Sequence, residues 1–307
     1  MIVTFGSINA DLIFDVETLP TAGQTLMAKS LHTEPGGKGA NQALAAALGG
    51  AEVHMVGAVG KDGLADIALE GLRRAVDVSL VARLEAPTGC ASIHRDQGGR
   101  NEIVVAGGAN LAVSSDLVDD ALLDRASVVL LQMENDPRET ARLICRCHER
   151  RTLSILNLAP AYRLDAEVLS LCGLVVVNED EAEAMAGWLG CGKTAAALAE
   201  ATGTGVLRTL GGDGAELAWR GEHVSVPAVP CTVQDTTAAG DCFVGTFAAA
   251  LDRGLPLADA MHRAAVAASL TCARKGSQES MPTAADVDAH ASLVSGLARR
   301  GSCAAPA

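Results

Sequence analysis

Along most of the chain, short apolar runs rich in β-branched residues alternate with stretches whose apolar positions recur at helical spacing. "IVTF", "EVHMVGAV", "SVVLLQ", "LSILNL", "LVVVN" and "GVLRTL" read as strands. Several are apolar without alternation, which suits strands covered on both faces. Helical patterns run through Gly39–Leu48, Leu64–Ala75, Pro137–Arg150 and Ala195–Ala201. This rhythm predicts an α/β fold with a mostly parallel central sheet flanked by helices. Segments 11–35 and 87–107 break it, with turn formers and alternating runs but no helix between. In the second, "DQGG" between two strand-like runs predicts a hairpin. Both segments are expected to leave the main sheet and form a small β-sheet lid. From Ala238 to about Leu297 the pattern is mostly helical. The expected domain covers 1–298, with 299–307 as a frayed tail.

Composition narrows the function classes. Hydrophobic residues make up 49% and charged residues 20%, with no low-complexity block, as in a folded globular protein. A formal charge of −13 argues against a nucleic-acid or anionic-membrane surface. An anionic ligand would need local help from helix N-termini, backbone N–H groups or bound cations. No apolar run approaches ~18–20 residues, so no membrane span is expected. The start, "MIVTFGSINAD", lacks the basic region of a signal peptide. Nine cysteines are scattered, and Cys145 and Cys147 form C-x-C in a helical pattern, pointing to different faces. That spacing is poor for zinc, and reduced structural thiols in a cytoplasmic protein are expected.

Five motifs could carry chemistry. "EPGGKGANQALAAALGG" sets glycines and Lys38 ahead of an alanine-rich helix, but Gly39 follows the lysine and P-loop spacing is absent. It is either a flexible helix start or a place where backbone approaches a ligand, with Asn41 projecting donor and acceptor. "GSINAD" ends the first strand with Asn9 and Asp11 at i, i+2, so both can point to one face, and open α/β folds bind ligands beyond the carboxyl ends of their strands. Turn formation accounts for them equally, and for Glu134 after "VVLLQM". In "VVVNEDEAEAM", Asn178 and Glu181 suit either a hydrated divalent cation or a helix dipole. "TLGGDG", Thr209 to Gly214, is a ligand loop or a tight hairpin.

The fifth, "DTTAAGDCF", puts Asp241 straight after Ala238, Ala239 and Gly240 where a helix begins. An N-cap is one account of the aspartate. The other is catalytic: small residues leave the helix N–H groups bare for a phosphoryl group, and Asp241 serves as base for an attacking hydroxyl. Asp235 would then be a cation ligand.

"GSINAD", "GGKGANQA", "NLAPA", "VNEDEAE", "TLGGDG", "DTTAAGDCF" and "ARKGSQESMP" occur in this order. With them the chain resembles the ribokinase-type carbohydrate kinases, the PfkB family, from Met1 to about Leu297. The resemblance implies ATP-dependent phosphorylation of the primary hydroxyl of a free pentose, ribose foremost, beneath a lid that is often a dimer contact. A nucleoside or another sugar is the alternative substrate, and an inactive sugar-binding regulator the third reading. Sugar contacts are implied at Asn9, Asp11, Gly37, Lys38, Asn41 and Glu134. Nucleotide contacts are implied at Asn178, Thr209, Gly211, Gly212, Gly214 and Gly240. Asn178 and Glu181 correspond to a magnesium motif. Asp235, Thr237, Thr271, Arg274, Gly276 and Ser280 correspond to a potassium loop, largely through backbone carbonyls. Asp241 corresponds to the base, and Ala238, Ala239 and Gly240 to the anion hole. Ala265 departs from the polar residue that relatives often place near adenine, so looser base contacts are expected.

Composition bears on the substrate. Aromatic residues are 2% of the chain, and Phe14 is the one aromatic residue in the two lid segments, so a stacked nucleobase finds few rings. Lys29, Arg95 and Arg100 are too dispersed to suggest a sugar-phosphate site.

Overall fold

The computed structural model describes residues 1–98 and 100–291. The expected tail at 299–307, and the end of the helical stretch near Leu297, lie outside the described residues. The strands are β1 (Ile2–Phe5), β2 (Asn9–Asp15), β3 (Ser30–Gly36), β4 (Val53–Gly60), β5 (Asp77–Leu84), β6 (Gly89–Arg95), β7 (Asn101–Ala106), β8 (Val128–Leu131), β9 (Leu153–Asn157), β10 (Leu174–Val177), β11 (Gly205–Thr209), β12 (Ala215–Trp219) and β13 (Glu222–Val226). The α-helices are α1 (Lys38–Leu48), α2 (Leu64–Leu69), α3 (Asp120–Arg125), α4 (Pro137–Arg150), α5 (Ala166–Leu171), α6 (Glu179–Leu189), α7 (Ala195–Thr202), α8 (Ala239–Asp252) and α9 (Leu257–Cys272). Residues 284–291 are also helical.

The large sheet runs β13-β12-β11-β10-β9-β8-β1-β4-β5. From β11 to β5 every neighbouring pair is parallel, and β12 and β13 close one edge as antiparallel strands. Every residue of β1, β8 and β10 is buried. Their unbroken apolar runs are explained by cores on both faces. Ile2, Met55 and Leu130 face Ala43, Phe247 and Ala264 of α1, α8 and α9. Phe5, Val129 and Leu131 face Leu143, Met185 and Leu198 of α4, α6 and α7. The expected α/β architecture is therefore borne out. Among the described residues, no helix is long and apolar enough to cross a membrane. The described cysteines are free, with Cys147 buried and Cys145 half-buried on different faces of α4.

The second sheet has the order β3-β2-β6-β7, drawn from the two segments that break the α/β rhythm. The β6–β7 hairpin closes at Arg95 opposite Asn101, as "DQGG" requires. Three details differ from expectation. Asn9 and Asp11 do not end the first strand; they open β2, inside the lid sheet. The helix expected over Leu64–Ala75 stops at Leu69, and a 3₁₀ turn follows at Leu72–Arg74. Gly71 intervenes because the chain there touches Gln278, whose Oε1 would lie 2.0 Å from any Cβ at that position. Strands β5, β12 and β13 have no counterpart among the expected ones.

Two glycines bring α1 into position. Gly37 precedes the helix at φ 90°, and a Cβ there would fall 2.8 Å from the Asn9 nitrogen. Gly245, one turn into α8, lies against α1 so closely that a Cβ would stand 2.4 Å from the Gln42 carbonyl oxygen and 2.6 Å from the Ala45 Cβ. The two helices thus touch through backbone. Overpacking such a contact costs about 1–3 kcal/mol. Gly245→Val is expected to lower the unfolding free energy by about that amount in urea denaturation. An unchanged midpoint would mean that the helices have room to spare.

Candidate active site

The first turn of α8 decides between the two accounts of Asp241. No side chain caps this helix, and Ala238 precedes it in a left-handed conformation, φ 58°. The Ala239 N–H donates to the Thr236 carbonyl at 3.3 Å. The N–H groups of Gly240 and Asp241 have no backbone acceptor among the described residues, as expected for a helix start. Asp241 does not cap them. It is buried, its Oδ2 accepting from Asn41 Nδ2 at 3.0 Å and its Oδ1 from Gln42 Nε2 at 2.9 Å. These amides are held in turn: Gln42 Nε2 also donates to Asn157 Oδ1 (2.9 Å), Gln132 Nε2 to Gln42 Oε1 (2.7 Å), and Gln278 Nε2 to Asn41 Oδ1 (3.0 Å). Gln42, Gln132, Asn157 and Gln278 were not among the expected site residues. Gln42, Asn157 and Gln278 lie inside "GGKGANQA", "NLAPA" and "ARKGSQESMP", and for Gln42 an amide amid alanines was the available signal.

Three cavities meet at this helix start, and Thr236 lines all of them. The first, of about 280 Å³, lies under the lid among Asp11, Ile13, Glu34, Arg95, Asp235 and Thr237. The second, of about 220 Å³, is lined by Lys38, Asn157, Asn178, Glu181, Gly240 and Asp241. The third, of about 300 Å³, is an apolar slot edged by Thr209, Gly211, Gly212 and Gly214, with Phe243 and Ala265. Ala265 lies beside Ala268 in that slot and offers no polar group to a base. A larger cavity, of about 650 Å³ around Gly205 and Trp219, contains none of the expected residues.

Charge is unevenly shared among these spaces. Asp11 stands opposite Glu34 in the β2–β3 register, and like charges facing across strands repel. Burial first, then Glu134, Glu34 and Asp241, push the Asp11 carboxyl up to about 7. Asn9 Oδ1 accepts from Asn110 Nδ2 at 2.7 Å, which anchors it to the turn after β7. Glu134 Oε2 accepts from Ser7 Oγ (2.5 Å) and from the Lys38 backbone N–H (3.2 Å), fixing the start of α1. The Lys38 side chain goes the other way, into the second cavity, apart from Asp11. Asp241 foremost, with Glu134 and Glu181, holds its ammonium above the ordinary range against the opposing effect of burial.

Asn178 and Glu181 form a reciprocal capping box at α6: Asn178 Oδ1 accepts from the Glu181 N–H and Glu181 Oε2 from the Asn178 N–H, both at 2.8 Å. Burial raises the Glu181 carboxyl, and the Asn178 bond and Lys38 oppose the rise. Of the expected potassium loop, Asp235, Thr237 and Gly276 come together. Asp235 Oδ1 accepts from the Thr237 N–H (2.9 Å) and hydroxyl (2.7 Å), and Oδ2 from the Gly276 N–H (3.4 Å). Arg274 Nη1 donates to the Ser280 carbonyl at 3.4 Å. The Thr271 hydroxyl is bound within its own helix, to the Ala267 carbonyl.

A carboxylate next to bare helix N–H groups, between a polar cavity and an apolar slot, suits phosphoryl transfer to a small polar acceptor. The sequence profile described as "pfkB family carbohydrate kinase" matches residues 1–284, and the chain belongs to that family. It is a sugar kinase of the ribokinase-like kind. The ribokinase of Bacillus subtilis is 36% identical over 294 residues, covering 94% of this chain and 98% of that protein. The structure of Arabidopsis thaliana ribokinase complexed with ribose and ATP superposes with a TM-score of 0.83 at 30% identity, over 93% of this chain and 96% of that one. A Burkholderia thailandensis nucleoside kinase in complex with inosine gives a TM-score of 0.84 at 21% identity, over 96% and 97% of the two chains, which shows the fold alone.

The Asp11 environment makes a prediction about stability. A carboxyl near 7 in the folded protein and 3.8 in the unfolded chain leaves the folded state holding more protons between those values. Stability contributed below pH 4 is then lost as pH rises through about 7. Asp11→Asn removes that loss, at ~1.4 kcal/mol per pH unit and no more than about 4 kcal/mol in all. Thermal melts are expected to show the variant gaining on the parent between pH 4 and pH 8. A constant difference across that range would contradict the assignment.

Proposed function

We propose that this kinase transfers the γ-phosphoryl group of ATP to the primary hydroxyl of free ribose, with Asp241 as the base. The observation that carries this reading is the Asp241 carboxylate, held by two amides beside the uncapped start of α8. Ribose binds under the lid; of its expected contacts Asn9, Asp11, Gly37, Asn41 and Glu134, Asp11 is the one that lines the lid cavity. Asp241 takes the hydroxyl proton as the oxygen attacks phosphorus, and the turn Ala238–Ala239–Gly240 receives charge on the phosphoryl oxygens. Lys38, facing the second cavity, neutralises the transferring group rather than gripping the sugar. Thr209, Gly211, Gly212 and Gly214 edge the slot for the nucleoside part of ATP, with Gly240 at its phosphate end.

Asn178 and Glu181 suit a hydrated Mg²⁺. The donors are oxygens, and the capping box engages Glu181 Oε2, leaving Oε1 for a metal-bound water. When bound, Mg²⁺ supplies charge neutralisation at the phosphates. A potassium site at Asp235, Thr237, Thr271, Arg274, Gly276 and Ser280 is compatible with the loop. The Ser280 carbonyl accepts from Arg274 through one lone pair and has a second. The lid also supports a homodimer: edge strand β7 is exposed throughout, with Ile103, Val104 and Val105 presented to solvent. Free cysteines fit a reducing, cytoplasmic setting.

The lid cavity favours a sugar over the alternatives. Its lining includes no aromatic ring on which a nucleobase could stack. Arg95, the cation within it, donates through Nε (3.1 Å) and Nη2 (2.9 Å) to Asp15, and Arg100 is paired with Asp96. Neither is free for a sugar phosphate.

Asp241→Asn is expected to lower turnover by ~10²–10⁴-fold with ATP affinity largely kept, the usual contribution of general-base catalysis. Near-parental turnover would refute the base. In a panel following ADP release, ribose is expected to exceed adenosine, inosine and fructose 6-phosphate in kcat/KM. Potassium is expected to activate over sodium and a large organic cation. A preferred nucleoside would overturn ribose while leaving a kinase, and no ADP release with any acceptor would leave the inactive regulator.

A further inference from the structure

Gln42 has no place in the chemistry above, yet it is fully buried and both ends of its amide are committed. Its Oε1 accepts from Gln132 Nε2 at 2.7 Å. The Asp241 carboxylate can only accept, so Nε2 faces it with two hydrogens to place, and Oε1 faces Gln132. The two acceptors there, Asn157 Oδ1 and Asp241 Oδ1, each lie 2.9 Å away. Asn157 is itself oriented by donating Nδ2 to the Val176 carbonyl at 3.3 Å. One amide orientation of Gln42 therefore satisfies all of its partners. It ties Asp241 on α8 to the end of β9 and to the residue that follows β8, independently of Asn41.

We infer that Gln42 is a positioning residue: it fixes the rotation of the Asp241 carboxylate so that the oxygen lone pairs not engaged by amides face the acceptor hydroxyl. Asn41 alone would leave the carboxylate free to turn about its bond to Oδ2. A misplacement of about 1 Å can cost on the order of 10²-fold in rate. The inference rests on Asp241 as base, and the test separates the two.

The experiment is a double-mutant cycle on kcat with saturating ATP and ribose, joining Gln42→Met, near in volume but without N–H donors, to Asp241→Asn. In the parent background, Gln42→Met is expected to lower kcat roughly 10–100-fold, with KM for both substrates within about threefold. In the Asp241→Asn background, where no base remains to be aimed, it is expected to lower kcat less than twofold. Equal losses in both backgrounds would overturn the inference and make Gln42 a packing residue. A parental kcat in Gln42→Met would overturn it too, while Asp241 stands. No loss from Asp241→Asn alone would remove the base, and the inference with it. If Gln42→Met fails to fold, Gln132→Met enters the same cycle, since it frees the Gln42 amide to rotate and leaves its donors in place. A smaller loss, again confined to the Asp241 background, is then expected, and a loss equal in both backgrounds overturns the inference.

Discussion

Helices α1 and α8 meet at Gly245, where one added carbon would collide with the Gln42 carbonyl. That closeness lets two short amide side chains reach across the interface to Asp241. The same packing places Gly37 and Lys38 at one end of α1 beside the start of α8, where the lid cavity and the apolar slot share Thr236. Alanine-rich α1 and α8 are thus more than good helix formers. Their small side chains are what allow a buried carboxylate to be held by neighbours instead of by water.

The site resolves an apparent conflict in charge. A chain of formal charge −13 must bind a polyanion, and much of the acidity surrounds the site. The carboxylates are sorted by cavity. Asp11, Glu34 and Asp235 line the space under the lid, which suits a neutral polyol and opposes a phosphorylated one. Lys38 and the uncapped N–H groups of α8 line the space on the other side, where phosphate charge would develop. Asp11 and Glu34, facing each other across β2 and β3, are under electrostatic strain. Hydroxyl groups that donate to them would relieve part of that strain.

The sequence pattern showed most clearly what burial on two faces imposes. β1, β8 and β10 are legible because every side chain is covered. β5 and β13 were not, since they are edge strands of mixed exposure, and buried β12 was not, since "AELAW" is rich in helix-forming residues. The β12–β13 turn was hidden as well, because its left-handed conformation begins at Arg220, φ 55°, a residue that does not advertise it. Residues within compact motifs, such as Asn41, Glu181 and Asp241, were found as candidates. Their supports were not, because Asn41 and Gln278 are 237 positions apart and Gln42 and Asn157 are 115. Asn178 and Glu181 form a capping box, so a motif read for its chemistry also serves the fold.

The central claim is that Asp241 touches the hydroxyl that is phosphorylated. A crystal structure with ribose, ADP and aluminium fluoride tests it most directly. An Asp241 carboxylate oxygen is expected about 2.6–3.2 Å from the primary hydroxyl of ribose, the reach that proton abstraction requires. The Gln42 and Asn41 bonds should remain intact, and the fluoride group should lie at the start of α8. A ribose whose primary hydroxyl points elsewhere, with Asp241 bonded to its two amides and nothing more, would contradict it.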